Sequence, residues 1–303
     1  MIVSAQDLTF RYGQRVALAG LSFSVPRGQI FGVLGPNGGG KSTLFGILST
    51  MLEPSEGKVQ IAGLDVVRQP SEVRRRIGVV FQSQSLDRKL TVLENLTSQG
   101  HLYGMSGEKL RRRVREVTER LSLADRRGDL VESLSGGLKR RVEVAKALLH
   151  HPAVLLLDEP STGLDPGARR ELWQYLEDLR SQEGVTALLT THILDEADRC
   201  DHLILLHQGR KVAEGSPQEL KAKVGGDVVV LEVDDPRELG PRISQRFGVE
   251  THATDGALRV EMAGGHRFIT EVVEAFPGVI RSIAMHKPTL EDVFLDETGV
   301  GID

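Results

Sequence analysis

Short apolar runs separated by helical patterns dominate the first two thirds of the chain. Four of these runs are rich in valine, isoleucine and leucine, which is typical of strands buried on both faces of a parallel sheet. They cover residues 77–81, 154–158, 185–190 and 203–207. Four opening runs predict antiparallel strands, at residues 2–10, 16–25, 29–34 and 57–62. The pattern predicts an α/β fold with a mainly parallel sheet and a smaller antiparallel part.

The stretch that follows residue 90 shows only helical periodicity. Its apolar residues recur at spacings of four, three and four, which puts them on one face of a helix. These residues are Leu110, Val114, Val117 and Leu121. We therefore expect an all-helical insertion, at about residues 83–135, that interrupts the sheet.

The C-terminal part of the chain predicts a separate small α+β domain. Strands are expected at residues 228–233, 248–253, 257–262 and 279–285, and helices at 236–246, 266–275 and from Thr289 onward. The order β-α-β-β-α-β is that of a split βαβ, or ferredoxin-like, arrangement. A Gln208-Gly209 turn and the flexible pair Gly225-Gly226 precede it, so we place a boundary between domains 1–222 and 223–303.

Composition and charge narrow the classes of function. Of 303 residues, 40% are hydrophobic and 26% charged, and 38 Lys and Arg against 42 Asp and Glu give a net charge of −4. This balance argues against nucleic acid as a partner. We expect no membrane span, which needs about 20 consecutive apolar residues, and no secretory signal, so we expect a cytoplasmic chain. The single cysteine, Cys200, is expected to be a small half-buried side chain.

A glycine-rich segment connects one apolar run to a helical pattern and predicts a nucleotide site. Gly35 is followed after four residues by Gly40-Lys41-Ser42, the phosphate-loop spacing between a strand and a helix. Backbone N–H groups of such a loop surround polyphosphate, Lys41 reaches the β- and γ-phosphates, and Ser42 ligates Mg²⁺. The alternative is a glycine-rich turn with a purely structural role. The candidate ATP-binding residues are Gly35, Pro36, Asn37, Gly38, Gly39, Gly40, Lys41, Ser42 and Thr43.

Two consecutive carboxylates end another apolar run. Asp158 suits the Mg²⁺ shell, and Glu159, one residue beyond the strand, is placed to polarise the attacking water. An Asp-Glu pair after a strand is in other chains a helix cap or a surface pair. The phosphate loop upstream favours the catalytic interpretation.

The segment before these carboxylates contains Leu134-Ser135-Gly136-Gly137, which forms a second candidate anion site at the start of a helix. This run matches the signature motif of the ATP-binding-cassette (ABC) ATPases, a family that the segment resembles. A plain serine cap before a glycine-containing helix is the alternative. The resemblance implies a head-to-tail homodimer, in which Ser135 and Gly137 of one subunit close over the γ-phosphate held by the other.

Further positions match this family in order. The resemblance implies that Tyr12 stacks on adenine, although a buried strand tyrosine is the alternative, and that Gln82 contacts Mg²⁺ and the attacking water. It also implies that His192 contacts the γ-phosphate. A loop is expected to cross the dimer interface, and it consists of Thr162, Gly163, Leu164 and Asp165. The implied fold is a P-loop NTPase core of ABC type, with a RecA-like mainly parallel sheet, an antiparallel β subdomain and a helical insertion.

Two residues depart from the usual family pattern. Leu138 stands where many members have glutamine, although apolar residues occur there in exporter ATPases, and Gly39 stands where alanine or serine is common. The Ser and Gly residues of the signature are retained, so neither departure argues against hydrolysis. The glycine at position 39 is expected to loosen the loop slightly.

The C-terminal residues indicate how the ATPase is used. The run Lys287 to Gly299 resembles the tail of ATPase subunits that drive drug, lipid-linked or polysaccharide exporters, notably the antibiotic-resistance branch. The resemblance implies an ATP-hydrolysing exporter subunit, peripheral on the inner face of the cell membrane, that acts on separate transmembrane permease subunits. The alternative is a non-transport ABC ATPase acting on ribosomes or DNA. For the C-terminal domain itself we expect a stability or dimerisation role without a ligand, and small-molecule sensing is the alternative.

Overall fold

A computed structural model describes residues 1–254 and 256–302, which form two compact units, residues 1–214 and 215–302. The division lies before the sequence-based boundary at residue 223. The difference is helix α8 (Pro217–Lys223), which packs against helix α11 (Leu290–Thr298) of the second unit.

A six-stranded sheet, in the order β10-β9-β3-β8-β7-β6, forms the centre of the first unit. Its strand β3 pairs in parallel with β8 and β9, and β7 pairs in parallel with β6 and β8. The strands are β3 (Ile30–Leu34), β6 (Ile77–Val80), β7 (Val154–Asp158), β8 (Thr186–Thr191), β9 (His202–His207) and β10 (Arg210–Gly215). The mainly parallel sheet predicted from the apolar runs is confirmed.

One strand lies in a different sheet from the one that the sequence pattern predicts. The sequence pattern groups residues 29–34 with the opening antiparallel strands, whereas β3 lies inside the parallel sheet between β8 and β9. All five residues of β3 are buried. Because a strand covered on both faces needs a continuous apolar run, the composition of this segment fits the central position.

An antiparallel sheet in the order β2-β1-β4-β5 covers one side of the unit. Its strands are β1 (Val3–Tyr12), β2 (Arg15–Val25), β4 (Glu56–Ile61) and β5 (Leu64–Asp65). Alternate residues of β7 enter two different hydrophobic cores: Val154 and Leu156 pack with α1 and the antiparallel sheet, while Leu155 and Leu157 pack with α3 to α6. The central sheet is thus covered on both faces.

The helices of this unit are α1 (Lys41–Leu48), α2 (Pro70–Arg74), α3 (Val92–Leu102), α4 (Gly107–Arg120), α5 (Gly136–Leu148), α6 (Pro166–Glu183) and α7 (Leu194–Ala197). The predicted helical insertion contains α3 and α4. Leu110, Val114 and Val117 are buried on one face of α4, and Leu121 is buried just beyond its end. Thr91 caps α3 in a reciprocal bond with Glu94, which fixes where the insertion begins.

The second unit contains a four-stranded antiparallel sheet in the order β12-β13-β11-β14. Besides α8 and α11, its elements are β11 (Asp227–Val233), α9 (Pro236–Phe247), β12 (Thr251–Thr254), β13 (Ala257–Met262), α10 (Gly265–Ala275) and β14 (Ile280–His286). The order and pairing are those of a ferredoxin-like arrangement.

Within residues 1–254 and 256–302, no helix combines the length and apolar character that crossing a bilayer requires.

Candidate active site

The loop between β3 and α1 requires glycine at two positions for steric reasons. A Cβ atom at Gly35 would lie 2.2 Å from the carbonyl oxygen of Leu206, and one at Gly40 would lie 2.8 Å from the carbonyl oxygen of Ala17. Gly40 also has a φ of +109°, which side chains of L-residues rarely adopt. These glycines allow the loop to turn directly from the buried strand into the helix.

Lys41 is the first residue of α1, and its side chain folds back over the loop. It is only 4% exposed, and its Nζ donates to the carbonyl oxygens of Gly35 at 2.7 Å and Pro36 at 3.0 Å. Burial lowers the Lys41 pKa, and the neighbouring Glu159 carboxylate partly offsets this effect. The amine is thereby fixed where a polyphosphate bound by the loop would meet it.

Asp158 and Glu159 stand where β7 leaves the sheet. Asp158 accepts a hydrogen bond of 2.6 Å from the Thr190 hydroxyl, and burial raises its pKa. Glu159 has a φ of +43°, in the left-handed region that is strained for a residue with a side chain. Its backbone N–H donates to the same Thr190 hydroxyl at 3.0 Å, so β8 holds the strained turn in place.

Four side chains from separate segments converge on the Glu159 carboxylate. Gln82 donates to Oε2 at 2.9 Å and Thr162 donates to the same oxygen at 3.3 Å. On the other side, Lys41 Nζ lies 3.5 Å from Oε1 and His192 Nδ1 lies 3.4 Å from it. The His192 contact is close enough for an ion pair but is not aligned as a hydrogen bond. The structure thus brings together five residues that the sequence predicts to be functional.

A cavity of about 390 Å³ opens beside this cluster and follows the loop. It is lined by Tyr12, Arg15, Val16, Ala17, Asn37, Gly38, Gly40, Lys41, Ser42, Thr43, Glu159, Gln208 and Gly209. Tyr12 is 54% exposed and contacts the Phe10 ring edge-on, so the alternative of a buried strand tyrosine is wrong. The sequence does not predict Arg15 and Gln208 as site residues, because neither belongs to a motif.

The signature segment starts α5 and does not line this cavity among the residues that the structure describes. Ser135 accepts a hydrogen bond of 3.3 Å from the Leu138 N–H, so the serine does cap the helix, while its surface remains exposed. Gly136 is exposed and Leu134 is buried. A Cβ at Gly137 would lie 2.7 Å from the Cβ of Ala168, so this glycine has a packing reason of its own.

The predicted interface loop lies between Glu159 and α6. Asp165 caps α6 by accepting from the Ala168 N–H at 2.9 Å, and Thr162 contacts the Glu159 carboxylate. Thr162, Gly163 and Asp165 are exposed and Leu164 is partly buried.

Cys200 differs from the expected half-buried residue because it is buried, with 5% of its surface exposed. Loss of hydration raises the pKa of its thiol.

Residues 7–162 match the family model described as ABC transporter. The chain is 40% identical over 300 residues to the daunorubicin resistance ATP-binding protein DrrA3 of Streptomyces coeruleorubidus, covering 95% of this chain and 93% of that protein. It is also 40% identical over 316 residues to the Nod factor export ATP-binding protein I of Ralstonia nicotianae, covering 98% and 94%.

Solved structures agree with these sequence relatives. The protein cbiO1 of Clostridium perfringens, described as part of the ABC transporter complex cbiONQ, superposes with a TM-score of 0.68 at 28% identity, covering 82% of this chain and 96% of that one. The dimeric bacterial ABC transporter cassette MJ0796 gives 0.64 at 29% identity, covering 71% and 98%. The resemblance inferred from the motifs is confirmed: the chain belongs to the ABC transporter family, as one of its ATP-binding and ATP-hydrolysing cassettes.

Proposed function

We propose that the cavity beside the loop binds MgATP and that the Glu159 carboxylate is the general base for hydrolysis of the γ-phosphate. The observation that carries the proposal is the convergence of Gln82, Thr162, Lys41 and His192 on that carboxylate. Adenine would stack on the exposed ring of Tyr12 at the cavity mouth. The phosphates would be surrounded by the N–H groups of residues 35–43.

The donor set at the loop fits a magnesium ion. The Ser42 hydroxyl, the Gln82 amide and the Asp158 carboxylate are oxygen ligands, and Mg²⁺ is usually held by one or two protein groups together with substrate phosphates. A carboxylate whose charge is destabilised by burial, as for Asp158, gains from a cation. When bound, the ion would neutralise charge that develops on the phosphate oxygens.

Each side chain around Glu159 then has a separate task. Glu159 accepts a proton from the attacking water, and Gln82 orients that water while contacting the metal. Lys41 holds the β- and γ-phosphates, and His192, at the end of β8, contacts the γ-phosphate. Because the Glu159 turn is bonded to β8 through Thr190, the carboxylate is positioned before the substrate binds.

A second copy of the chain would complete each site. Ser135 and Gly136 are exposed, and the signature of one subunit can therefore cover the γ-phosphate bound by its partner. The exposed loop from Thr162 to Asp165 would cross the same interface. The dimeric structure of the cassette MJ0796 supports dimerisation, and in our proposal the two copies of this chain form a head-to-tail homodimer.

The energy would be used for export through separate permease subunits. Relatives that are 40% identical over nearly the whole chain are named for daunorubicin resistance and for Nod factor export. We place the cassette in the cytoplasm, peripheral on the inner face of the cell membrane, with the helical insertion next to the permease. None of these relatives favours the alternative of a ribosome-acting or DNA-acting ATPase.

The test uses the Glu159→Gln variant, which keeps the shape of the side chain and removes the base. Hydrolysis should slow by about 10²–10⁴-fold, while MgATP should convert the chain into a stable dimer, measured by light scattering after size exclusion. A monomer at saturating MgATP would contradict the proposed head-to-tail dimer. The double variant Lys41→Ala/Glu159→Gln is the control and should stay monomeric, because it should not bind ATP tightly.

A further inference from the structure

A buried arginine on α5 links the two turns that carry Gln82 and Glu159. Arg140 is 6% exposed and lies one turn beyond the signature. Its guanidinium donates to the carbonyl oxygens of Phe81 at 2.6 Å, Pro160 at 2.7 Å and Glu159 at 3.3 Å. These carbonyl groups lie immediately before Gln82 and within the Glu159 turn. One side chain therefore holds both backbones on either side of the Gln82–Glu159 contact.

Glu143, one helical turn further along α5, extends this link. It is 3% exposed, and its Oε2 accepts from Arg140 at 2.9 Å while its Oε1 accepts from the Ser85 N–H at 2.7 Å. Lys146, a further turn along the same face, donates to the Ser85 carbonyl oxygen at 2.8 Å. The segment that follows Gln82 is thus held from both its N–H and its C=O side.

A guanidinium suits this position in a way that an ammonium group does not. Its donors form a planar fork that can reach several acceptors in fixed directions, whereas lysine is a single flexible point charge. The Arg140–Glu143 pair is also buried, so its electrostatic attraction is little screened and its geometry is rigid. Both properties favour accurate placement of the backbone.

We propose that Arg140 and Glu143 are positioning residues for hydrolysis. They fix the distance between the Gln82 amide and the Glu159 carboxylate and join both to the helix that begins at Ser135. Neither side chain contacts ATP in this scheme, so their loss affects the chemical step and leaves nucleotide binding to the loop. The inference rests on the proposed site, in which Gln82 and Glu159 act on the same water.

The first variant is Arg140→Lys, which preserves the charge next to Glu143 and removes the fork. We expect kcat for MgATP hydrolysis to fall by about tenfold to a hundredfold, because small displacements of catalytic groups have effects of this size. The Kd for a fluorescent ATP analogue should stay within about twofold of wild type, since the loop residues are intact.

Arg113→Lys is the matched control. Arg113 is also buried, at 5% exposure, and also donates to carbonyl oxygens, those of Leu148 at 2.7 Å and Leu149 at 3.1 Å, at the far end of α5. Both substitutions should lower the thermal unfolding midpoint, but only Arg140→Lys should lower kcat. Equal kcat values for the two variants would overturn the inference.

A second variant keeps the inference testable if Arg140→Lys does not fold. Glu143→Gln can still accept from the Ser85 N–H while it loses the ion pair with Arg140, and kcat should fall by about fivefold to tenfold with Kd unchanged. An unchanged kcat would contradict the proposal. If wild type itself shows no Mg²⁺-dependent hydrolysis, the proposed function fails; if wild type is active and both variants match it, only this inference fails.

Discussion

At the scale of single residues, the site depends on buried charges that the fold does not fully compensate. Burial lowers the pKa of Lys41 and raises that of Asp158, although the two side chains attract each other. Both charged forms therefore cost stability in the chain without nucleotide. This cost is consistent with a site whose charges are completed by a bound metal ion and polyphosphate.

Replacing Asp158 by asparagine should therefore separate stability from activity. The Thr190 hydroxyl can still donate to the amide oxygen, so Asp158→Asn should raise the unfolding temperature of the nucleotide-free chain while Mg²⁺-dependent hydrolysis falls at least about a hundredfold. The pKa of Asp158 in the folded chain lies above 3.8, its value in the unfolded chain. The ionised carboxylate therefore lowers the free energy of unfolding above pH 3.8 and has no such effect below it. Melting curves should show the gain at pH 7 and lose it as the pH approaches 3.8.

Asp165→Asn provides the comparison for this prediction. Asp165 is exposed, and the backbone N–H of Ala168 lowers its pKa, in the opposite direction to Asp158. Asparagine caps helices about as well as aspartate, so the unfolding temperature should not rise. A similar rise in both variants would show that the Asp158 effect is not due to burial.

Site residues that belong to a sequence motif can be predicted from the sequence. Residues that act through hydrogen bonds to backbone carbonyl groups cannot. Lys41 and Glu159 stand at positions fixed by a recognisable spacing, and the structure brings them within 3.5 Å. Arg140 contacts carbonyl oxygens that belong to any residue type, so no pattern in the sequence indicates its partners. Arg15 reaches the cavity from β2 and likewise lies outside any motif.

At the scale of elements, His150 connects the helical insertion to the central sheet. Its ring stacks on Tyr103 at the end of α3, with centroids 3.8 Å apart, and its Nε2 is 2.8 Å from the carbonyl oxygen of Ile77 in β6. Its Nδ1 is buried without an acceptor in the described structure. A second ring proton would have no partner, and burial accordingly lowers the His150 pKa.

The chain should therefore lose stability below about pH 6.5. A histidine with a lowered folded-state pKa takes up its proton more readily when unfolded, so its contribution is present above the unfolded value of 6.5 and is lost as the pH falls toward the folded value. His150→Gln, which can still donate to Ile77, should flatten the dependence of the free energy of unfolding on pH between 5 and 7.

Urea denaturation across this pH range gives the slope directly. His101→Gln, on an exposed part of α3, is the control and should keep the wild-type slope. Burial also lowers the pKa of His151, so a residual slope should remain in His150→Gln. A wild-type slope in His150→Gln would mean that this histidine is not the group responsible.

Periodicity in the sequence predicts helices and strands well where one face of the element is exposed to solvent. It predicts them less well where both faces are buried. The apolar face of α4 and the alternation in β1 identify a helix and an antiparallel strand. The buried strand β3 has no alternation, so its sequence did not reveal which sheet it joins. Pairing with β8 and β9 depends on segments more than 150 residues away.

At the scale of the whole molecule, residues 215–302 contain a hydrophobic core of their own. Val229 and Leu231 of β11 pack with Ile243 of α9 and with Phe268 and Val272 of α10, all of them buried. A unit that has its own hydrophobic core and whose strands pair with one another can fold independently. We expect the fragment 215–302 to give a cooperative thermal transition, measured by circular dichroism.

The core position Phe268 makes this prediction specific. Phe268→Ala should destabilise the fragment by about 3–5 kcal/mol, while Val273→Ala, at an exposed position on the same helix, should have little effect. A fragment without a cooperative transition would show that the second unit depends on the rest of the chain. The order of its elements was predictable from sequence, since each element has a clear period and turn residues at its ends.

The close approach of Gly137 to Ala168 has a consequence for how this sequence can vary. A Cβ at position 137 would lie 2.7 Å from that of Ala168, and the first turns of α5 and α6 are capped by Ser135 and Asp165. The first turn of α5, which follows the signature, therefore packs against the first turn of α6. A substitution in one of these turns restricts which side chains the other can accept. We expect residue 168 to accept only small side chains in evolution, although it belongs to no motif and is assigned no contact with nucleotide.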